Sequence, residues 1–598
     1  MHRFTVWAPD ARSVDVVLGD TRIPMSPERE GHWAVEVEEA GPGTDYAFSL
    51  DGRDPLPDPR SFYQPHGVHG PSRVVDHDEF AWQHDTWPVR PLASGVLYEL
   101  HVGTFTVEGT FDAAIPRLQY LKDLGITHVE LMPVSEFSGE RGWGYDGVDL
   151  FAPHHAYGGP EGLKRLVDAC HGHGLAVILD VVYNHLGPEG GYLVCFGPYL
   201  STRYRGPWGD GMNLDEPHAA EVRCFLLDNA YMWFRDYRID GLRLDAIHYL
   251  IDASAKHFLE EFTEEVDSWE AHLGRPLIVT GESTENDPRV IRPREAGGHG
   301  FDAMWSEDFE HVFHTALTND MGGYYEGYHG LCDMRRVLRG FVYEGRYLPY
   351  VHKHYGKPLY ELSGHRLIAY VQSHDHVGNR AEGERLEHLV GAARARLAAA
   401  LLFAAPYTPM LFMGEEWAAS TPFTYFADHS DPELRKSVSE GRCKEFAALI
   451  SDPDCVPDPH AVETFNRSKL NWGELDEPEH KRMLDWHRAL IRLRRRFPSL
   501  TDGKREHVEV EVDVDAEHLV MRRGAVVLAC NFSEEPRDIP LQGFGALEVL
   551  LASEPEAALD GAVVRLPPLS ALFAQAELPP QRTTPLDLER ERLEEHTP

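Results

Sequence analysis

The chain has 598 residues, 42% of them hydrophobic, more than one hydrophobic core normally holds, so several domains are expected. A formal net charge of −40 disfavours nucleic acid, anionic membrane surfaces and highly anionic ligands, and suits a neutral ligand such as a sugar. Seven dispersed cysteines without a Cys-x-x-Cys pair argue against a disulfide framework or a zinc site, and with no signal-peptide core or membrane-length apolar run a cytosolic protein with reduced thiols is expected.

Residues 1–90 read as an N-terminal β-sandwich, because polar and apolar residues alternate over Arg3–Ala8, Ser13–Leu18, His32–Val37 and Tyr46–Leu50 with turn residues between them. Trp7, Trp33 and Tyr46 in these runs suit either a glucan surface or core packing, the commoner fate of strand aromatics. A proline-rich stretch from Leu56 to Pro91 leads into residues 91–498, where strand-like and helix-like segments alternate, the pattern of a parallel α/β body. Eight strands are predicted: Val96–His101, His128–Met132, Ala176–Val182, Gly241–Asp245, Leu277–Glu282, Ala303–Trp305, Leu367–Gln372 and Met410–Gly414. Helices are predicted at Ala113–Leu124, Leu163–His171, Ala219–Asp236, Ser254–His272, Glu387–Phe403 and Glu479–Phe497, so the expected fold is a (β/α)8 TIM barrel. Residues 499–578 return to strands at His518–Arg523, Ala525–Phe532, Ala546–Leu551, Ala562–Leu566 and Ser570–Ala574, a C-terminal β-domain, and 579–598 read as a solvated tail.

Asp245, Glu282 and Asp375 each close a segment that reads as a buried strand. In a barrel those strand ends converge on one mouth, so acids distant in sequence can surround a single bond. Glycosidic cleavage needs such a pair, one carboxyl to protonate the leaving oxygen and one to attack or stabilise the cationic sugar carbon. Arg243 lies two residues before Asp245, on the same strand face, and is expected to keep it ionised, whereas Glu282 would need a raised pKa to act as the proton donor.

Asp180-Val-Val-Tyr-Asn184-His185, Gly241-Leu-Arg243-Leu-Asp245, Gly281-Glu282-Ser283 and His374-Asp375 together resemble the four ordered signature regions of the α-amylase family of glycoside hydrolases. That resemblance implies a retaining enzyme with Asp245 as nucleophile, Glu282 as general acid/base and Asp375 as the carboxylate gripping the reacting sugar. It also implies sugar contacts from Arg243, His185 and His374 and a stacking platform at Tyr145. Longer stretches, Leu244 to Asp252 with His248, Gln372 to Leu386 with Asn379 and Arg380, and Pro422 to His429, resemble the family's maltooligosyltrehalose trehalohydrolase branch. This implies a maltooligosyl trehalose substrate, a functional pairing with a maltooligosyl trehalose synthase, and substrate contacts from Asp308, His311 and His314.

Motif chemistry leaves open a glycogen branching enzyme, which passes the glycosyl unit to a sugar instead of water, and a non-catalytic amylase-like binding protein. No metal or cofactor is expected. His352 with His354 and His374 with His376 form no closed ligand set, Asn184 alone is no calcium cage, and no phosphate-cradling glycine loop occurs. Neither nucleic acid nor a membrane is an expected partner, and nothing in the sequence specifies an oligomeric state.

Overall fold

Runs that are apolar on both faces have no solvent side, so they fold as interior parallel strands. Eight do so here: β1 (Leu97–Leu100), β2 (His128–Leu131), β3 (Ala176–Val181), β4 (Gly241–Leu244), β5 (Ile278–Gly281), β6 (Ala303–Trp305), β7 (Leu367–Ala369) and β8 (Thr408–Phe412). They pair in that order, all parallel, and β8 closes on β1 to complete the barrel. The computed structural model describes residues 1–446, 456–541 and 545–576. The expected tail and Cys455 lie outside the described residues, and the other six cysteines are unpaired.

Alternate residues of each strand point into the barrel. Leu97, Ile178, Ile278, Ala303, Ile368 and Met410 form one apolar cluster there. Two residues further along, Glu99, Glu130, Asp180, Arg243 and Thr280 are all buried. Strand register sets Glu99 beside Glu130, and Arg243 between Asp180 and Thr280. An ionisable layer thus sits on an apolar floor, directly below the mouth where the next residues of β4 and β5 are Asp245 and Glu282.

Seven of the eight strands lie within the ranges expected from sequence, and β8 begins two residues earlier than expected. Helices Gly159–His173, Ala219–Asp236, Leu386–Ala404 and Pro478–Arg496 also match, while the predicted helix at Ser254 begins at Phe258. The segment Ala113–Leu124 is not one helix: Pro116, which cannot donate a backbone bond, sits in a 3-10 turn, Ile115–Arg117, between helices Phe111–Ala114 and Leu118–Leu124. Helices Glu307–Thr318, Leu331–Val337 and Pro432–Phe446 were not anticipated.

The N-terminal strands form antiparallel sheets of three and four strands. Trp7 and Tyr46 are buried in them, Trp7 also lying edge-on to Tyr199, so these two rings pack rather than face a glucan. At the C-terminal end, sheets of five and three strands pack together, and they include three strands the sequence did not suggest: Val508–Asp513, Arg537–Pro540 and Ala558–Asp560. Among the described residues no helix is long and apolar enough to cross a membrane.

Candidate active site

Arg243 organises the mouth. Its guanidinium is fully buried, and Nη1 donates to Asp180 Oδ2 at 2.6 Å and Asp245 Oδ1 at 3.0 Å, while Nη2 donates to Glu282 Oε2 at 2.6 Å. Trp305 of β6 lies under the cation, 4.3 Å from guanidinium carbon to ring centroid. Asp245 also accepts from Asn184 Nδ2 at 2.8 Å, and Glu282 from the Ala246 N–H at 3.2 Å. Ala246 follows Asp245 with φ of 40°, a left-handed conformation that costs a β-carbon-bearing residue about 1–2 kcal/mol. Asp375 enters from the short helix His374–Gly378 after β7, and its side chain, 40% exposed, is the most open of the three acids, against 10% for Asp245 and Glu282.

Glu99 of the barrel interior accepts from His374 Nδ1 and from the His374 backbone N–H at 3.1 Å. Against burial, Glu99 and Asp375 raise the imidazole to about 9, so His374 is a cation at neutral pH, its ring stacked on Tyr145 at 5.0 Å. Tyr145 OH donates to Asp180 at 2.6 Å. Burial, then the charge of Glu282, pushes Asp245 well above the ordinary carboxyl range. For Glu282, Arg243, His248 and the Ala246 N–H outweigh burial and hold the carboxyl low. The two carboxyls are thus shifted in opposite directions, against the expectation that Asp245 is kept ionised and Glu282 raised: Glu282 has Nη2 of the fork to itself and a backbone donor besides, while Asp245 shares Nη1 with Asp180.

A cleft of about 600 Å³ runs over these groups, lined among others by Tyr145, His185, Asp245, His248, Glu282, His374, Asp375 and Asn379. A second cavity of about 420 Å³ adjoins it and shares His248, Asp375 and Asn379, and His311 lines it as well. The expected contacts at Asp308, His314, Arg380 and Arg243 are corrected. Asp308 is 1% exposed, and its carboxylate is taken up by Tyr328 OH at 2.6 Å, Asn286 Nδ2 at 2.9 Å and the Val342 N–H at 2.5 Å, so it ties loops together behind the cavity. His314 is 4% exposed and stacked flat on Tyr325 at 3.9 Å. Arg380 lies outside both linings, with Nε 3.8 Å from Glu384, and Arg243 holds carboxylates beneath the cleft instead of facing it.

Trp208, Glu307 and His376 are among the lining residues that the sequence reading did not name as substrate contacts. Trp208, at the turn of the hairpin formed by Leu200–Gly206 and Gly209–Met212, is 51% exposed and stacks on His185 at 5.0 Å. Glu307 lines both cavities, and burial together with Glu282 and Asp375 raises its carboxyl well above the ordinary range. His376 lines the smaller cavity. The signals were a Pro-Trp-Gly turn and an acid two residues after β6. Asn184 is not disposed to bind a cation, since its amide nitrogen serves Asp245 and its oxygen meets His185 Nδ1. Two clusters among the described residues have metal-ligand spacing: Glu136 with His154 and His155, and Glu310 with His311 and His376.

Residues 59–194 match the family described as alpha amylase, catalytic domain, and residues 503–573 match a domain of unknown function, DUF3459. The malto-oligosyltrehalose trehalohydrolase of Rhizobium sp. (strain M-11) is 45% identical over 95% of this chain and 97% of its own length, and that of Arthrobacter ramosus 46% over 90% and 94%. A crystal structure of a Salmonella typhimurium protein assigned to the alpha amylases superposes with a TM-score of 0.88 at 36% identity, covering 96% of this chain and 97% of that one. The 1,4-alpha-glucan branching enzyme of Pseudoalteromonas atlantica is only 28% identical, over 71% of this chain and 61% of its own. With an eight-stranded barrel, three acids at its mouth and likeness along nearly its whole length, the chain belongs to the malto-oligosyltrehalose trehalohydrolases of the α-amylase family.

Proposed function

We propose that this chain hydrolyses the α-1,4-glucosidic bond next to the terminal trehalose unit of maltooligosyl trehalose, releasing trehalose and a maltooligosaccharide with retention of configuration. The observation that carries the chemistry is the convergence of Asp245 and Glu282 on the single guanidinium of Arg243. The substrate follows from the relatives that share nearly the whole chain. Asp245 attacks the anomeric carbon while Glu282 protonates the leaving trehalose oxygen. Glu282 then takes a proton from water, and that water's oxygen displaces Asp245 from the sugar. Asp375, at the open side of the cleft, faces the cationic sugar of both transition states.

Double displacement needs Asp245 ionised and Glu282 protonated. Both carboxyls bind the same guanidinium, so their titrations are coupled, and a shift of a proton from Asp245 to Glu282 leaves the net charge of the site unchanged. A sugar whose anomeric carbon needs an anion at Asp245 favours that shift. A maltooligosyl trehalose synthase supplies the substrate from maltodextrin, and the setting is the cytosol.

Incubation with maltotriosyl trehalose and, separately, with maltotetraose tests the reading. Trehalose and maltotriose are expected from the first, with kcat/KM about 10²-fold above that for maltotetraose, since polar groups placed for the 1,1-linked ring go unpaired with maltose. Equal kcat/KM values count against it, and efficient transfer onto a second glucan chain points to branching activity instead.

A further inference from the structure

Glu310 and His311 lie on the helix Glu307–Thr318, and His376 on the short helix after β7, so two separate elements bring one carboxylate and two imidazoles together beside the cleft. Their ligand atoms all fall within 4.8 Å of one another. Glu310 Oε2 is 3.2 Å from His376 Nε2 and 3.4 Å from His311 Nδ1. A tetrahedral ion with bonds of about 2.0–2.1 Å has ligands about 3.3–3.4 Å apart, the same spacing.

The cluster also lacks something. Glu310 is 1% exposed, yet Oε2 has no hydrogen-bond partner. His376 Nδ1 sits 2.8 Å from Ser373 Oγ, an outer contact that fixes the ring with Nε2 toward Glu310. His311 Nδ1 donates to the Glu307 carbonyl at 2.8 Å, so a cation at Nδ1 requires the other tautomer, with the ring proton on Nε2, and the carbonyl still accepts the helical N–H four residues on. Two nitrogens and one oxygen suit zinc rather than calcium or magnesium, which take oxygen cages. In the other cluster the carboxylate is already satisfied, since Glu136 accepts from the His155 N–H at 2.8 Å and from His155 Nδ1 at 2.6 Å.

We propose that Glu310, His311 and His376 form a zinc-class divalent cation site, completed by water, whose occupation inhibits the enzyme. His311 and His376 line the smaller cavity and His376 adjoins Asp375, so a bound dication takes up cavity wall and opposes the positive charge that develops on the sugar. The inhibitory half rests on the hydrolytic reading above; the binding half does not.

The full chain, freed of metal with a chelator, is titrated with zinc chloride by calorimetry and by competition with a chromophoric chelator. One equivalent is expected to bind, Glu310→Gln and His376→Gln to weaken it by about 100-fold or more, and His155→Ala to leave it unchanged. Saturating zinc is expected to lower wild-type kcat/KM at least about tenfold. No binding, or binding lost in His155→Ala and kept in His376→Gln, overturns the site. Binding without inhibition overturns the inhibitory half, whereas a chain that binds zinc but never cleaves maltooligosyl trehalose refutes the hydrolytic reading alone. Should either variant misfold, anomalous diffraction from zinc-soaked wild-type crystals decides: a peak between Glu310 and His376 is expected, and a peak elsewhere or none refutes the proposal.

Discussion

Replacing Arg243 with lysine tests the fork on which the site is built. Guanidinium nitrogens now serve Asp180, Asp245 and Glu282 at 2.6, 3.0 and 2.6 Å, a geometry that one ammonium cannot reproduce. Charge-assisted hydrogen bonds contribute about 1.5–3 kcal/mol each, so losing two of the three removes about 3–6 kcal/mol from a buried cluster. If that loss is felt mainly at Asp245 and Glu282 in the transition state, kcat/KM falls by about 10²- to 10⁴-fold. The pH dependence has a definite sign. Arg243 holds Glu282 below its ordinary value, a contribution present above the unfolded carboxyl pKa of 4.5 and lost as pH falls through the lower folded value. With the fork gone the folded values of both carboxyls rise, so acid unfolding moves to higher pH, and so does the acidic limb of kcat/KM, which is set by ionisation of the nucleophile Asp245. The assay is kcat/KM on maltotriosyl trehalose from about pH 4 to 8, with circular dichroism to establish folding. A folded Arg243→Lys protein within about fivefold of wild type and with an unmoved acidic limb would refute the reasoning.

Asp245→Asn and Glu282→Gln should each lower kcat by about 10³-fold or more while the chain still folds, checked by steady-state rates beside thermal melts; near-normal turnover in either would falsify its assigned role. Glu99→Gln removes the buried counter-ion that, with Asp375, lifts His374 from 6.5 to about 9. A raised histidine stabilises fully below pH 6.5 and loses its contribution as pH passes about 9. The variant should therefore melt well below wild type at pH 6, by up to about 3 kcal/mol, and the gap should close above pH 9; a gap constant with pH would contradict this. Asp308→Asn leaves donors from Tyr328 and the Val342 backbone poorly met, so about 2–4 kcal/mol of stability is expected to go and KM to rise more than kcat falls, read from melts and initial rates.

The barrel was legible because its strands are apolar on both faces and end in acids, a pattern of composition that survives without coordinates, as in Gly241-Leu-Arg-Leu-Asp245. The segment after β6 was harder. The contacts expected from Asp308, His311 and His314 fall on a helix turning about 100° per residue, which points Glu307 and His311 at the cavities and Asp308 away from them. Neighbours in sequence therefore have opposite roles, and only the helix phase separates them. The opposite pKa shifts of Asp245 and Glu282 were beyond the sequence too, since they depend on how one guanidinium divides itself among three carboxylates. Trp208 carried only a turn signal. Its service to the cleft comes from where a hairpin lands its tip against His185.

Time-resolved proton NMR of wild-type enzyme with maltotriosyl trehalose reads both the bond cut and its stereochemistry in one series of spectra. The account predicts trehalose from the first turnovers, together with maltotriose whose new reducing end appears first as the α-anomer and mutarotates later. First appearance of the β-anomer, or products without trehalose, would contradict it.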